Sequence, residues 1–419
     1  MLDAAAKVFK EKGYMATRLA DIAAVANIQA GSLYYHFTSR EDLVEEVLRV
    51  GQDTTSDLVR QRVDTLPADA SNVDRIREAM KAHLAAVLEI GDYTSATIRI
   101  LGQVPDDVRR RRLIAQREYG NYWRQLLEDA REAGEIRKDV DLSAIRMMMM
   151  GALNSSTEWY HPHRRRGLSG ETIGNQFSTV FLEGLSVRQP VPTPRAEIQD
   201  VLSRSHEILE EDNALNGQGQ AGPIPTRERV LNTAAELFQH NGYGGTRLVD
   251  VAEAAGMQTG SLYYHFSSRE DLVAELIRIA WERTDGVVRR SVNALPVGTP
   301  GIEKIRMAIT VHIMSVLQSS SYAGALVRIL GQVPERVRER SVGDQRAYAR
   351  YWRSLLEKAA TNGEIRTDLD LSAIVMMLMG AMNWVVDWFH PHDTLQPEEL
   401  AAQFSSVIFD GLRAHVTAN

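Results

Sequence analysis

The sequence predicts an all-α protein built as two tandem copies of one helical unit. Three observations predict it. Residues 31–37 read Gly-Ser-Leu-Tyr-Tyr-His-Phe and return unchanged at 260–266. The offset of 229 implied by that pair holds from Leu2/Leu231 to His163/His392 without a gap, with about half of the paired positions identical, so a whole unit is duplicated. Throughout both copies apolar residues recur at helical spacing, and no alternating Val/Ile/Thr run of strand length interrupts them.

Taken in order, Leu2–Lys12 carries Leu2, Ala5, Ala6 and Phe9 on one face and stops at Gly13. Leu19–Ala26 is a short helix with Leu19, Ile22, Ala23 and Ala26 inward, and residues 30–37 form a third. Asn27 and its counterpart Gly256 sit between these two short helices, where the chain needs a residue tolerant of positive φ. Ser39-x-x-Asp42 is a capping-box-like start for a long helix to about Leu66, which Pro67 ends. Further helices are expected over residues 73–91, 93–103, 106–133, 141–160 and 170–186, punctuated by Pro105, Gly134 and Pro162. Residues 187–225 join the copies. They hold a proline-rich stretch, helical spacing over 196–215 and the linker sequence Asn-Gly-Gln-Gly-Gln-Ala-Gly-Pro-Ile-Pro.

Composition narrows the function. The 419 residues, 44% hydrophobic and 25% charged, can bury real cores, and the absence of cysteine excludes disulfides, thiolate metal sites and cysteine nucleophiles. Lys7, Lys10, Glu11 and Lys12 interrupt the first apolar stretch, and the run Met147–Leu153 is far short of a span. The expected location is therefore the cytoplasm, with no membrane partner. A net charge of −7 does not point to nucleic acid, so any DNA contact must use placed polar groups and a few cations.

Two short helices joined by a tight turn are the helix-turn-helix arrangement. The second helix carries no Asp, Glu, Lys or Arg. Its Gln29, Ser32, Tyr34, Tyr35 and His36 are hydrogen-bonding and stacking groups of the size that enters a major groove. Leu33 and Phe37, four apart, face inward; three consecutive residues such as Tyr34, Tyr35 and His36 cannot all do so. Gln29 can pair bidentately with adenine, and Ala30 or the Thr259 methyl can meet a thymine methyl. Thr17 and Thr246 are read as N-caps of the first short helix that face a phosphate, and Arg40 and Arg269 as backbone contacts one turn beyond the second.

The pattern Gly-Tyr-x-x-Thr-Arg-Leu-x-Asp-Ile/Val-Ala, followed by Gly-Ser-Leu-Tyr-Tyr-His-Phe-x-Ser-Arg-Glu-Asp-Leu, resembles the DNA-binding domain of the TetR family of one-component repressors, twice over about fifty residues. The resemblance implies two tandem TetR-like subunits. Each would have an N-terminal helix-turn-helix three-helix domain (1–48 and 226–277) and a C-terminal helical effector/dimerisation domain (49–190 and 278–419), with 191–225 as linker. It further implies that Thr17, Tyr35, His36 and Arg40 contact phosphates, while Gln29, Ala30, Ser32 and Tyr34 lie at base edges, with Gly31 in the same surface. The matching positions are Thr246, Tyr264, His265 and Arg269, then Gln258, Thr259, Ser261 and Tyr263, with Gly260. The expected partner is a double-stranded DNA operator, near-palindromic, gripped by an intrachain pseudo-dimer that packs through 141–160 and 170–186 against 371–389 and 397–414. Copy two opens with Thr-Arg-Glu-Arg at 226–229, whereas Met1 falls inside the first helix of copy one. Either copy one grips DNA less well or its start lies upstream.

In the C-terminal domains, Arg99/Arg328, Gln103/Gln332 and Arg117/Arg346 are polar positions kept amid apolar stretches, and buried arginines favour an anionic or carbonyl-bearing ligand. Trp123/Trp352 and Trp159/Trp388 are read equally as pocket walls or core, and Met150/Met379 as adaptable lining or packing. His161-Pro162-His163 and its repeat at 390–392 read as helix ends, and neither a metal nor a cofactor is expected. The Trp-Tyr/Phe-His-Pro ending, followed by Gln-Phe, resembles TetR-type repressors of fatty-acid and steroid catabolism, which implies a small-molecule effector of the acyl-CoA thioester class. Enzyme function is not expected, because no Gly-x-Ser-x-Gly, phosphate loop or His-Glu-x-x-His is present. The remaining rival is a helical small-molecule-binding or interaction protein whose DNA reading has decayed. Decay would scatter differences through the DNA-facing stretch, which is instead the most alike between copies.

Overall fold

The computed structural model describes residues 1–89, 91–159, 169–186, 225–319, 321–389 and 395–413, with isolated positions 203, 204, 207, 208 and 210. Among them every regular element is helical. The only bridges, Ile136 with Ser186 and Ile365 with Arg413, tie the last helix of each unit to the turn at Gly134 or Gly363. The chain divides into two compact units, Met1–Val187 and Arg188–Asn419. The helix expected over 196–215 and both His-Pro-His segments lie outside the described residues.

In unit one the helices are α1 (Leu2–Lys12), α2 (Leu19–Val25), α3 (Ala30–His36), α4 (Arg40–Asp64), α5 (Asn72–Leu88), α6 (Tyr93–Ile100), α7 (Asp106–Glu132), α8 (Leu142–Asn154), α9 (Ser156–Trp159) and α10 (Gly170–Leu185). Unit two repeats them as α11 (Thr226–Asn241), α12 (Leu248–Ala254), α13 (Thr259–His265), α14 (Arg269–Asn293), α15 (Gly301–Met314), α16 (Ser321–Leu330), α17 (Glu335–Thr361), α18 (Leu371–Asn383), α19 (Val385–Trp388) and α20 (Pro397–Leu412). A π turn, Ser315–Ser319, is inserted after α15.

Local chemistry sets the boundaries. Gly13 (φ 76°) and Gly242 (φ 68°) end the first helix of each unit in a conformation that strains a residue with a Cβ. Ser39 Oγ accepts from Asp42 N at 3.0 Å and Ser268 Oγ from Asp271 N at 3.1 Å, so the expected cap starts each long helix. At about 1.5 Å per residue, the 25-residue α4 spans about 37 Å. Phe9, Ile22, Leu33, Leu43 and Val47 form the core of the N-terminal domain, and Ala96, Ile100, Val104 and Val108 of the next domain join it. The N-terminal three helices and the domain behind them in a unit therefore share one packed core.

The segment Leu371–Trp388, 18 residues of mean hydropathy 1.4, is apolar enough to be mistaken for a membrane span. Half of it is buried, and it breaks at Trp384 into α18 and α19; it is a core helix pair.

Candidate nucleic-acid interface and effector core

The turn between α2 and α3 has the expected geometry, with Asn27 at φ 53° and Gly256 at φ 66° in the second copy. Leu33 and Leu262 anchor the recognition helices at 1% and 0% exposure. Their opposite faces stand in solvent: Tyr34 is 59% and Tyr35 88% exposed, Tyr263 53% and Tyr264 89%. Gln29, Gly31, Ser32 and His36 are exposed with them, as are Gln258, Gly260 and Ser261, while Thr259 and His265 are half-buried. Aromatic side chains left this open cost hydrophobic free energy, which a partner surface recovers. Ala30 opens α3, with its side chain outside the described set.

The threonines are placed differently from expectation. Thr17 and Thr246 are 1% and 0% exposed, and their hydroxyls donate inward to the Gly13 and Gly242 carbonyls at 2.6 and 3.0 Å. The N-cap is the following arginine: Arg18 N donates to Asp21 Oδ2 at 2.9 Å and Arg247 N to Asp250 Oδ2 at 2.7 Å. With its hydroxyl on Gly13 O and its backbone amide donating to Tyr14 O at 3.3 Å, Thr17 is spent on the preceding turn and fixes the entry into α2. The arginines that follow the recognition helices are half-buried. Arg40 stacks on Tyr14 at 4.1 Å and donates to Thr17 O at 3.3 Å; Arg269 stacks on Tyr243 at 3.7 Å. Each is held over an aromatic face, a rigid mount for a guanidinium.

The effector residues divide sharply. Gln103 and Gln332 are held by backbone partners in both copies. Gln103 Oε1 accepts from Tyr14 N at 2.9 Å and its Nε2 donates to Arg99 O at 3.0 Å; Gln332 does the same with Tyr243 N and Arg328 O, both at 2.9 Å. Both ends of the amide are committed, so each glutamine bolts the turn after the first helix to the end of α6 or α16. Neighbouring contacts reinforce that joint: Tyr93 donates to Asp3 and Tyr322 to Asn232, both at 2.8 Å, and Lys10 pairs with Asp92 at 2.8 Å. Arg117 and Arg346 lie exposed on α7 and α17, because they fall on the outer face of those helices. Arg328 faces the Asp387 carboxylate at 3.7 Å, an internal partner that competes with any anionic ligand. Met150 and Met379, at 9% exposure, are core; Trp159 and Trp388 are half-buried beside Phe177 and Phe389.

Trp123 and Trp352, at 1% and 0% exposure, belong to a buried network that no short sequence motif marks. His83 on α5 bonds Tyr119 Oη at 2.7 Å through Nδ1 and Asn154 Oδ1 at 2.9 Å through Nε2. His312 repeats both bonds to Tyr348 and Asn383 at 2.8 and 3.0 Å. With Asn154 Oδ1 as acceptor, Nε2 carries the proton and Nδ1 accepts from the tyrosine. Burial pushes both histidines down to a pKa of about 4, against a smaller upward pull from the asparagine, so they are neutral. The tryptophan stands edge-on to both rings in each copy, at 6.1 to 6.2 Å. Its indole N–H lies near the tyrosine hydroxyl but closes no hydrogen bond. The signal was present in the sequence, since His83, Tyr119 and Asn154 all recur at the same offset. They are scattered over three helices, and no short motif joins them.

Fold and exposed recognition helices together define a helix-turn-helix DNA-binding protein. Residues 1–47 and 230–276 match the bacterial regulatory proteins of the tetR family, and residues 69–185 and 298–412 the tetracyclin repressor-like C-terminal domain. The chain belongs to the TetR family, in tandem form, and is a DNA-binding transcriptional regulator. The HTH-type transcriptional repressor KstR2 of Mycolicibacterium smegmatis is 26% identical over 45% of this chain and 92% of its own length. The fatty acid metabolism regulator protein of Bacillus subtilis is 22% identical over 44% of this chain and 92% of its own length. The solved ketosteroid transcriptional regulator KstR2 of Mycobacterium tuberculosis gives a TM-score of 0.41 at 20% identity over 46% of this chain and 98% of that chain. Each curated relative is thus about one unit long.

Proposed function

We propose that this chain is a repressor that occupies one near-palindromic operator with both of its recognition helices, as a covalent pseudo-dimer, and that a small-molecule effector releases it. The carrying observation is that both units present the same exposed Gln, Ser and Tyr set on a recognition helix, in a chain twice the length of its curated relatives. Gln29 and Gln258 read adenine edges, Ser32, Tyr34, Ser261 and Tyr263 flank them, and Tyr35, His36, Tyr264, His265, Arg40 and Arg269 hold phosphates. Thr17 and Thr246 serve through the entry turn that they fix. The half-sites differ where Ala30 and Thr259 differ, at one or two base pairs.

The effector is of the acyl-CoA thioester class. An apolar core with a neutral polar network suits a thioester carbonyl on a hydrocarbon tail, and a relative named for fatty acid metabolism supports that class. Release follows if α4 and α14 tilt, because half-sites about one helical turn, 34–36 Å, apart demand a fixed spacing of the readers. The site of action is the cytoplasm, where the operator is.

The test is a gel shift with DNA upstream of the gene, followed by selection of preferred sites in vitro. A single shifted species whose half-sites are near-copies is expected, and Ala30→Thr should make the selected site more symmetric. Two unrelated half-sites would overturn the pseudo-dimer. Butyryl-, octanoyl- and palmitoyl-CoA added to the complex test the effector class, and an unchanged shift with all three would exclude it.

A further inference from the structure

Each C-terminal core carries its own copy of the polar network, but what lies against it differs. In unit two, Trp281 of α14 lies against Tyr348, ring centroids 5.7 Å apart, and Tyr348 is 1% exposed. The corresponding residue in unit one is Gln52, and there Tyr119 is only partly buried. Other polar positions of unit one change in the same sense. Thr94, Thr97 and Ser155 of unit one become Ala323, Leu326 and Trp384. Trp281 thus covers the tyrosine of the network in unit two with an indole, where unit one has the amide of Gln52.

Those polar groups are incompletely used. Thr94 Oγ1 meets Thr55 Oγ1 at 2.9 Å, but Gln52 Oε1 and Thr97 Oγ1 are buried without a hydrogen-bond partner, as is Trp123 Nε1. Each such atom is destabilising unless something satisfies it. In unit two the counterparts of Gln52 and Ser155 are Trp281 and Trp384, whose indole N–H groups are unpartnered, as is that of Trp352. Residue 52 of a long helix is an inexpensive place to put an apolar side chain, as Trp281 demonstrates. A glutamine there, backed by a threonine that replaces leucine, is what a polar ligand group would require.

From this we infer that unit one alone is the sensor. Its core between α4, α5, α6 and α7 takes an apolar ligand bearing one uncharged carbonyl or hydroxyl, met by Gln52, Thr97, Trp123 and the His83–Tyr119–Asn154 network. Unit two is a plugged copy that keeps the fold and the second DNA reader. This rests on the effector reading above and adds where, and how many times, the effector binds. The buried histidine is neutral and itself offers an anion no charge.

Calorimetry of the full chain with octanoyl-CoA tests the inference. One ligand per chain is expected. Gln52→Trp, which copies the plug of unit two, should weaken binding by at least about tenfold, or about 1.4 kcal/mol, while operator binding and thermal unfolding stay near wild type. His83→Phe should weaken it too, whereas His312→Phe should not. The triple variant Trp281→Gln, Leu326→Thr, Trp384→Ser should raise the stoichiometry toward two. Two ligands per wild-type chain, or binding by Gln52→Trp equal to wild type, would overturn the sensor assignment and leave the effector class standing. If octanoyl-CoA binds neither wild type nor triple variant, the thioester class and the sensor assignment built on it both fall.

Discussion

Residues 29–44 and 258–273 differ at two positions, whereas the cores behind them have exchanged Gln52 for Trp281, Thr94 for Ala323, Thr97 for Leu326 and Ser155 for Trp384. The same duplication has thus been held fixed at one surface and let go at another. A DNA surface that must serve two halves of one site tolerates little divergence, because each altered base contact costs about 1–3 kcal/mol. An effector core has no such demand if one ligand suffices to move the pair. Between these regions lies a joint whose glutamine bonds persist, although its Lys10–Asp92 pair becomes Gln239 and Ser321: Gln103 and Gln332 make the same two hydrogen bonds in each unit. Each unit thus keeps the same tie between its N-terminal domain and the helix behind it.

The largest effect should come from what the cores still share. His83 and His312 are held at a pKa of about 4, against 6.5 for a free histidine. Between those values the unfolded chain binds more protons than the folded one. Stability is therefore full above pH 6.5 and falls as pH drops toward 4, by about 3 kcal/mol per histidine. Denaturant unfolding across this window should show the loss, and His83→Gln and His312→Gln should each remove about half of it. A loss confined to one variant would break the equivalence of the two networks.

Next in size is the reading of bases. Gln29→Ala and Gln258→Ala should each cost about 1–3 kcal/mol and relax one position, each in its own half-site. Relaxation at both half-sites by either variant would mean that the readers are not divided between the units. Gln103→Leu leaves the Tyr14 N–H without its partner, a cost of about 1–3 kcal/mol. It should loosen the response of operator affinity to effector more than it lowers affinity itself. If the sensor lies in unit one, Gln332→Leu should blunt the response of the second half-site only. Smallest is Arg40→Ala or Arg269→Ala. Either should weaken binding to all sequences and flatten the salt slope by about one. Part of the loss will be of folding stability, since the guanidinium also stacks on Tyr14 or Tyr243.

Most of the fold was legible in the sequence because its signals are local. Ser39, Gly13, Asn27 and Pro67 mark boundaries by their own backbone chemistry, and the exposed trio at 34–36 follows from helical periodicity alone. What escaped depends on contacts between distant segments. Thr17 reads as a cap until Gly13 O is found within reach of its hydroxyl, and Gln103 reads as a ligand group until Tyr14 N, 89 residues away, is found to claim it. Arg117 lies on a helix whose buried face the sequence leaves ambiguous, and it points outward. The His–Tyr–Asn network joins residues up to 71 positions apart, and no spacing rule connects them.

The central claim, that one chain supplies both readers of one operator, is tested most directly by the mass of the complex. Sedimentation of purified full chain with the selected operator, at concentrations above and below the dissociation constant, gives the number of chains per DNA. One chain of 46.9 kDa per operator is predicted at all loadings up to saturation. Two chains per operator, with no one-chain intermediate, would contradict it.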